Sequence, residues 1–172
     1  MREAKVGKFQ RDQSVYDIPL DAILSSLYAY EQEMIKIITG EEGRMAFAAR
    51  SGMEVACNQD KAIKIEAIEK LNHELQTLCD QVAMEFDHHG PVTCHLFVSP
   101  ADSKSFPMHK DPDDVLLLVI EGEKTMKVNS GLVELVTGDY LFLPAGTPHC
   151  AINKSASKML SIGLEKFIID KL

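Results

Sequence analysis

Ser105-Phe106-Pro107-Met108-His109-Lys110-Asp111 and Gly138-Asp139-Tyr140-Leu141-Phe142-Leu143-Pro144-Ala145-Gly146-Thr147-Pro148-His149 bound the stretch that decides how this chain reads. The first segment contains His-x-Asp. Two residues apart on a strand, both side chains point to one face. The second brings a histidine out of a tight Pro/Gly corner. Two histidines and one carboxylate suit a metal such as non-haem Fe(II), with coordination positions left open. His109, Asp111 and His149 are therefore the candidate metal ligands and the candidate catalytic centre.

Composition narrows the setting. A chain of 172 residues is read as one structural domain with a proper core. Hydrophobic residues make up 45% and charged residues 26%, both ordinary for a soluble globular protein. The formal net charge of −8 argues against nucleic acid or an anionic membrane as the partner. No apolar run is long enough to span a bilayer, and no signal peptide is expected after Met1. Cys57, Cys79, Cys94 and Cys150 show no CxxC and no disulfide-scaffold spacing. Reduced thiols in a cytoplasmic protein are the expectation.

Working outward from the motifs, the period from Val92 on is that of strands. Val92–Val98 ends at Ser99-Pro100. Val115–Ile120 is continuously apolar, as for a strand covered on both faces. Glu121-Gly122-Glu123 reads as a turn. Lys124–Val128, Leu132–Val136, Tyr140–Leu143, His149–Ile152 and Met159–Leu164 follow. About eight short strands with regular turns predict a double-sheet jelly roll over 92–172. Upstream, residues 1–16 read as a loosely docked arm. Leu24, Leu27, Tyr28, Ile35 and Ile38 predict a helix from about Pro19 to Gly40. Arg44–Ala48 is either a strand or a helical turn. Ile68, Leu71, Leu75, Leu78, Val82 and Phe86 predict a second amphipathic helix capped by Asp60, with Glu66, Glu69, Lys70 and Gln76 off its apolar face. The predicted fold class is α+β: residues 1–91 form an arm and two N-terminal helices packing on a double-stranded β-helix. Those helices are free to cover their own barrel or that of a second copy, in a homodimer.

Gly138 through Asn153 reads G-x5-P-x-G-x2-H-x3-N, which resembles the second motif of the cupin superfamily at every position. The first cupin motif is recognisable in His109, Asp111 and Gly122. Asp111 stands where many cupins have a second histidine, and Val115 stands where they have a glutamate ligand. These departures turn a four-ligand set into a three-ligand one. Val92 to Val128, with Ser-Phe-Pro-Met-His-Lys-Asp-Pro-Asp-Asp-Val-Leu-Leu-Leu-Val-Ile-Glu-Gly-Glu-Lys at its core, resembles JmjC-type 2-oxoglutarate oxygenases. It is most similar to the branch of ribosomal oxygenases and asparaginyl hydroxylases. That branch has His-x-Asp, an apolar strand, a Gly turn, then a Lys or Arg where Lys124 falls. The resemblance covers residues 92 to about 165.

The resemblance implies Fe(II), 2-oxoglutarate as co-substrate, and O2. It implies that His109, Asp111 and His149 hold the iron and that Lys124 holds the far carboxylate of 2-oxoglutarate. Lys158 is the rival anchor, because other 2-oxoglutarate oxygenases carry a basic residue on the strand after the second histidine. Thr93 and His95, on an early barrel strand, are further candidates for the co-substrate pocket; a buried, hydrogen-bonded structural histidine is an equal reading of His95. Asp113, Asp114, His88 and His89 read as turn or loop residues, and Cys150 as facing away from the metal. The expected activity is that of a hydroxylase acting on a small molecule or a protein side chain. The alternatives are a metal-dependent cupin dioxygenase or isomerase using a small acid without 2-oxoglutarate, and a non-catalytic cupin that binds a small ligand.

Overall fold

A computed structural model describes residues 3–9, 17–41 and 43–167. In chain order the elements are β1 (Lys5–Lys8), α1 (Leu20–Leu24), α2 (Leu27–Glu31), β2 (Ile35–Glu41), β3 (Arg44–Ala48), α3 (Gly52–Ala56), β4 (Ile63–Ile65), α4 (His73–Glu85), β5 (Val92–Ser99), β6 (Asp114–Val128), β7 (Gly131–Val136), β8 (Asp139–Leu143), β9 (His149–Ile152) and β10 (Ser157–Leu164). Hydrogen bonds join them in the order β1-β8-β6-β10-β5-β4-β2-β3, and β7 and β9 pair with the far end of β6. The described pairings are all antiparallel. This is the jelly-roll barrel that the strand spacing predicts.

Strand β6 organises the barrel, and it corrects one expectation. Glu121-Gly122-Glu123 does not reverse the chain: β6 runs through it for 15 residues. Before Gly122 it pairs with β8 and β10; after it, with β7 and β9. Gly122 has φ +78, and a Cβ there would lie 2.2 Å from the Ala156 carbonyl oxygen, so only glycine fits this bend. The register of β10 against β6 slips beside it, between Lys158 and Met159, in a bulge that passes the strand from one sheet to the other.

The apolar run in β6 is buried on both sides because it separates two cores. Val115, Leu117 and Val119 face the barrel interior with Met126, Leu135, Leu141, Leu143 and Met159. Leu116, Leu118 and Ile120 face outward into a second core, closed by α4 and the N-terminal elements. Helix α4 supplies Leu75, Leu78, Cys79 and Val82 to that core, one stripe of a 3.6-residue period.

The N-terminal region differs from its predicted form. The helix expected over 19–40 breaks at Ser25-Ser26 into two short helices, and Ser26 caps the second by accepting from the Ala29 amide. Ile35, Ile37, Ile38 and Thr39 then form a strand. The apolar residues there fit either period, and β-branching against an available sheet edge decides for extended structure. Arg44–Ala48 is its hairpin partner. The second predicted helix is shorter. Ile63–Ile65 is a strand, 68–70 is a 3-10 turn, and the helix starts after Asn72, not Asp60. The Asn72 side chain accepts from the Glu74 and Leu75 amides. Glu69 is turned inward instead of outward, where its carboxylate accepts from the Cys94 amide at 2.9 Å. Within the arm, Lys5–Lys8 is no loose segment but an edge strand on β8. Residues 1–2 and 10–16 lie outside the described residues.

Candidate functional site

The His-x-Asp segment is not part of a strand. His109 and His149 form an isolated antiparallel bridge, exchanging backbone hydrogen bonds of 3.0 and 2.9 Å. This bridge brings the second histidine, 40 residues on, back to the first (149 − 109 = 40). Asp111 follows in the approach to β6, and its carbonyl accepts from the Gly146 amide at 2.8 Å. Gly146, at φ +79, gives the corner the left-handed turn that aims His149 inward. Asp114 ties the corner down as well, accepting from the Ala145 amide at 2.8 Å.

Ligand atoms of His109, Asp111 and His149 lie within 4.8 Å of one another, a group that could hold a metal ion. His149 Nε2 is 3.3 Å from Asp111 Oδ2, and His109 Nε2 is 3.9 Å from Asp111 Oδ1. The donor chemistry fits a cation. His109 Nδ1 is 2.8 Å from the Pro107 carbonyl, and His149 Nδ1 is 3.0 Å from the Thr147 carbonyl. A carbonyl only accepts, so each Nδ1 carries hydrogen; without a cation a protonated His149 ring donates from Nε2 to Asp111, and a bound cation would take the place of that proton on the Nε2 lone pair. Hydrogen bonding to His149 leads in holding the Asp111 carboxyl below its ordinary range, with the positive charges of His149, His109 and Lys64 adding to it. Burial pushes the His149 imidazole down, but Asp111 and the Thr147 carbonyl outweigh it and leave its pKa raised.

A cavity of about 270 Å³ opens beside these three residues. Lys124 is at its base, only 2% exposed. Its Nζ donates to Ser99 Oγ at 2.9 Å and to Asn153 Oδ1 at 2.7 Å. Two of its three N–H bonds are thus used inside the protein, and the third is left for a ligand. Asn153 is held in turn by Ser103, to which its Nδ2 donates. Burial brings the Lys124 pKa down to about 8. The rival Lys158 is on the outside, 2.6 Å from Glu121, and does not line the cavity.

Thr93 and His95 line the same cavity. The Thr93 hydroxyl donates to Glu165 at 2.8 Å, and His95 Nδ1 accepts from the Ala67 amide at 3.1 Å. Ser99 and Asn153 are the partners of Lys124 that sequence reasoning did not single out. Both had a signal: Ser99 continues the alternation Thr93, His95, Phe97 on one face of β5, and Asn153 ends the Gly138–Asn153 motif. Asp113 also lines the cavity and accepts from the Lys166 amide. His89 is exposed, and His88 contacts the Pro91 carbonyl. Cys150 is absent from the cavity wall.

Residues 95–163 match the cupin domain family model. That match lies within the barrel, from β5 to β10. The fold is similar to that of YcfD, a ribosomal oxygenase from Escherichia coli solved with cobalt and succinic acid. The TM-score is 0.72 at 15% identity, over 96% of this chain and 49% of YcfD. The chain therefore spans about half of that protein, and the likeness in fold includes the N-terminal elements that sequence resemblance did not reach. A cupin superfamily protein from Desulfitobacterium hafniense is 32% identical over 44% of this chain and 68% of its own, with a TM-score of 0.41. A salicylate 1,2-dioxygenase from Pseudoaminobacter salicylatoxidans is 15% identical over 42% of this chain and 20% of its own, with a TM-score of 0.40. No curated protein matches the sequence. Among the described residues, no helix is long and apolar enough to cross a membrane.

Proposed function

We propose that this protein is an Fe(II)- and 2-oxoglutarate-dependent oxygenase that hydroxylates a small molecule or a protein side chain. The observation that carries this reading is one cavity with a three-ligand group on its wall and a buried, partly unsatisfied lysine at its base. His109, Asp111 and His149 would hold the metal through two imidazole nitrogens and a carboxylate oxygen. Lys124 would hold the distal carboxylate of 2-oxoglutarate. When bound, the metal and co-substrate together supply oxygen activation, in an overall reaction that turns substrate, 2-oxoglutarate and O2 into hydroxylated substrate, succinate and CO2.

The chain's own residues contribute geometry and dielectric. Ser99 and Asn153 hold Lys124 Nζ in place before any ligand arrives, so little ordering is needed on binding. A carboxylate here meets a cation in a water-poor site, where a charge-assisted hydrogen bond is strong. It also offsets the cost of burying Lys124. Pro107 and Thr147 fix both histidine tautomers, so the ligand nitrogens need not reorient. Leu117, Met126 and Met159 give the cavity apolar lining that disfavours water. The four cysteines are free thiols, in keeping with a reducing, cytoplasmic setting.

The test is turnover of 2-oxoglutarate with Fe(II) under air. Succinate forming above background, and lost in Asp111→Ala, is the expected result. Metal binding without any succinate would leave the cavity to a small acid used directly.

A further inference from the structure

His95 carries chemistry that the ligand group and Lys124 do not explain. It lies in the middle of β5, with its side chain toward the cavity. Its Nδ1 accepts from the Ala67 amide. Ala67 is one of few non-glycine residues with positive φ, at φ 53 and ψ 42, the left-handed region that an alanine enters at a cost. That strained backbone aims its N–H at the imidazole. An Nδ1 that accepts carries no hydrogen, so the hydrogen must be on Nε2. Burial foremost, and then the Lys64 charge, bring the His95 pKa down to about 4 despite Glu66 and Asp111 nearby. The ring is thus a neutral donor through the physiological range, not a proton-transfer group.

Nε2 has no acceptor among the described residues. The fully buried side-chain atom left without a partner there is Ser157 Oγ, so Nε2 is open to the cavity. Ser161, directly across the β10–β5 ladder from His95, lines the same wall and sets a hydroxyl beside the ring. His95 is four residues from Ser99, roughly 13 Å along the strand. It therefore serves the end of the cavity away from Lys124, yet it is close enough to feel the Asp111 charge.

We propose that His95 positions the substrate, donating its Nε2–H, with Ser161 beside it, to a carbonyl or carboxylate oxygen of the molecule in the cavity. This deepens the oxygenase reading by giving the substrate an acceptor oxygen at the Lys124-distal end. Fixing the tautomer gives the site a polarity: it accepts an oxygen and rejects a bare N–H donor.

The experiment uses the full chain, metal-free, with 15N-labelled histidine, and reads the imidazole by long-range N–H NMR. The expected spectrum is that of the Nε2–H tautomer, unchanged from pH 8 to pH 5. An Nδ1–H ring, or an imidazolium at pH 6, overturns the proposal. Acetate and N-methylacetamide are then titrated separately. Saturable movement of the His95 Nε2–H with acetate marks an acid substrate, and with the amide a peptide-like one. Movement with neither overturns the proposal.

Two variants separate positioning from structure. His95→Asn keeps an acceptor for Ala67, but its amide N–H groups stop short of the Nε2 position. His95→Gln keeps a donor at the Nε2 position but abandons Ala67. The Asn variant should keep its melting temperature and bind the effective probe at least about tenfold more weakly, followed at the Ser161 amide. The Gln variant should bind the probe and melt earlier. Equal probe binding by parent and Asn variant overturns the assignment. The oxygenase reading fails separately: probe shifts in a chain that binds no divalent metal would leave this inference standing, and normal metal binding without probe shifts would do the reverse.

Discussion

The two ends of the cavity are built on opposite principles. At the base, Lys124 is 2% exposed and locked by Ser99 and Asn153. At the mouth, the side chains of His109 and Asp111 are 40% and 35% exposed, and only His149 is buried. The base is a single charge kept out of water at a cost, ready for an anion. The mouth is a set of neutral or compensated ligands near solvent, held by backbone carbonyls. Changes at the base should therefore alter folding stability as well as ligand binding, whereas changes at the mouth should alter metal binding first.

The largest effect expected is on the metal. His109→Ala and His149→Ala should each weaken Fe(II) or Co(II) binding by more than about 100-fold in calorimetry, because three ligands are the minimum for this geometry. The exposed His109 should do so with an unchanged melting temperature, whereas the buried His149 should also cost stability. Equal melting losses would erase the distinction between mouth ligands.

The base makes a prediction of definite sign. The ordinary lysine pKa is 10.5, and burial brings Lys124 to about 8. Between those values the unfolded chain binds the proton and the folded chain does not, so folding stability rises with pH in that window. Below pH 8 the cost of the buried charge is fully present. In urea titrations, the parent should therefore gain on Lys124→Met between pH 8 and 10.5, by a difference on the order of 3 kcal/mol. A pH-independent difference would mean that Lys124 is hydrated. Carboxylate affinity should run the other way. It is greatest below pH 8 and falls by up to about tenfold per pH unit above it, as Lys124 loses its proton.

The smallest effect belongs to Lys158. Its pair with Glu121 is on the surface, and Lys158→Ala should change stability by less than about 1 kcal/mol and 2-oxoglutarate use not at all.

How far the sequence was legible follows from the length of each pattern. The strands from Val92 on, the two-sided burial of Val115–Ile120 and the meeting of His109, Asp111 and His149 were all readable, because turn residues punctuate that half. The resemblance favours Lys124 over Lys158, but the turn signals alone do not separate them, because a Gly turn does not announce that β6 crosses between sheets. Upstream, Ile35 and Ile38 fit a helix and a strand equally, and an available sheet edge chose the strand. The inward turn of Glu69 and the bond from Ala67 to His95 depend on contacts between residues more than 20 positions apart, which no local pattern encodes.

The most direct test of the account is an anaerobic titration of 2-oxoglutarate into the Fe(II)-loaded chain, followed by the weak visible band of the bound co-substrate. The parent should saturate. Lys124→Ala should take up Fe(II) normally yet require at least about tenfold more 2-oxoglutarate, and Lys158→Ala should match the parent. A Lys124→Ala variant that binds 2-oxoglutarate as the parent does, or a parent that shows no saturable band with iron in place, would contradict it.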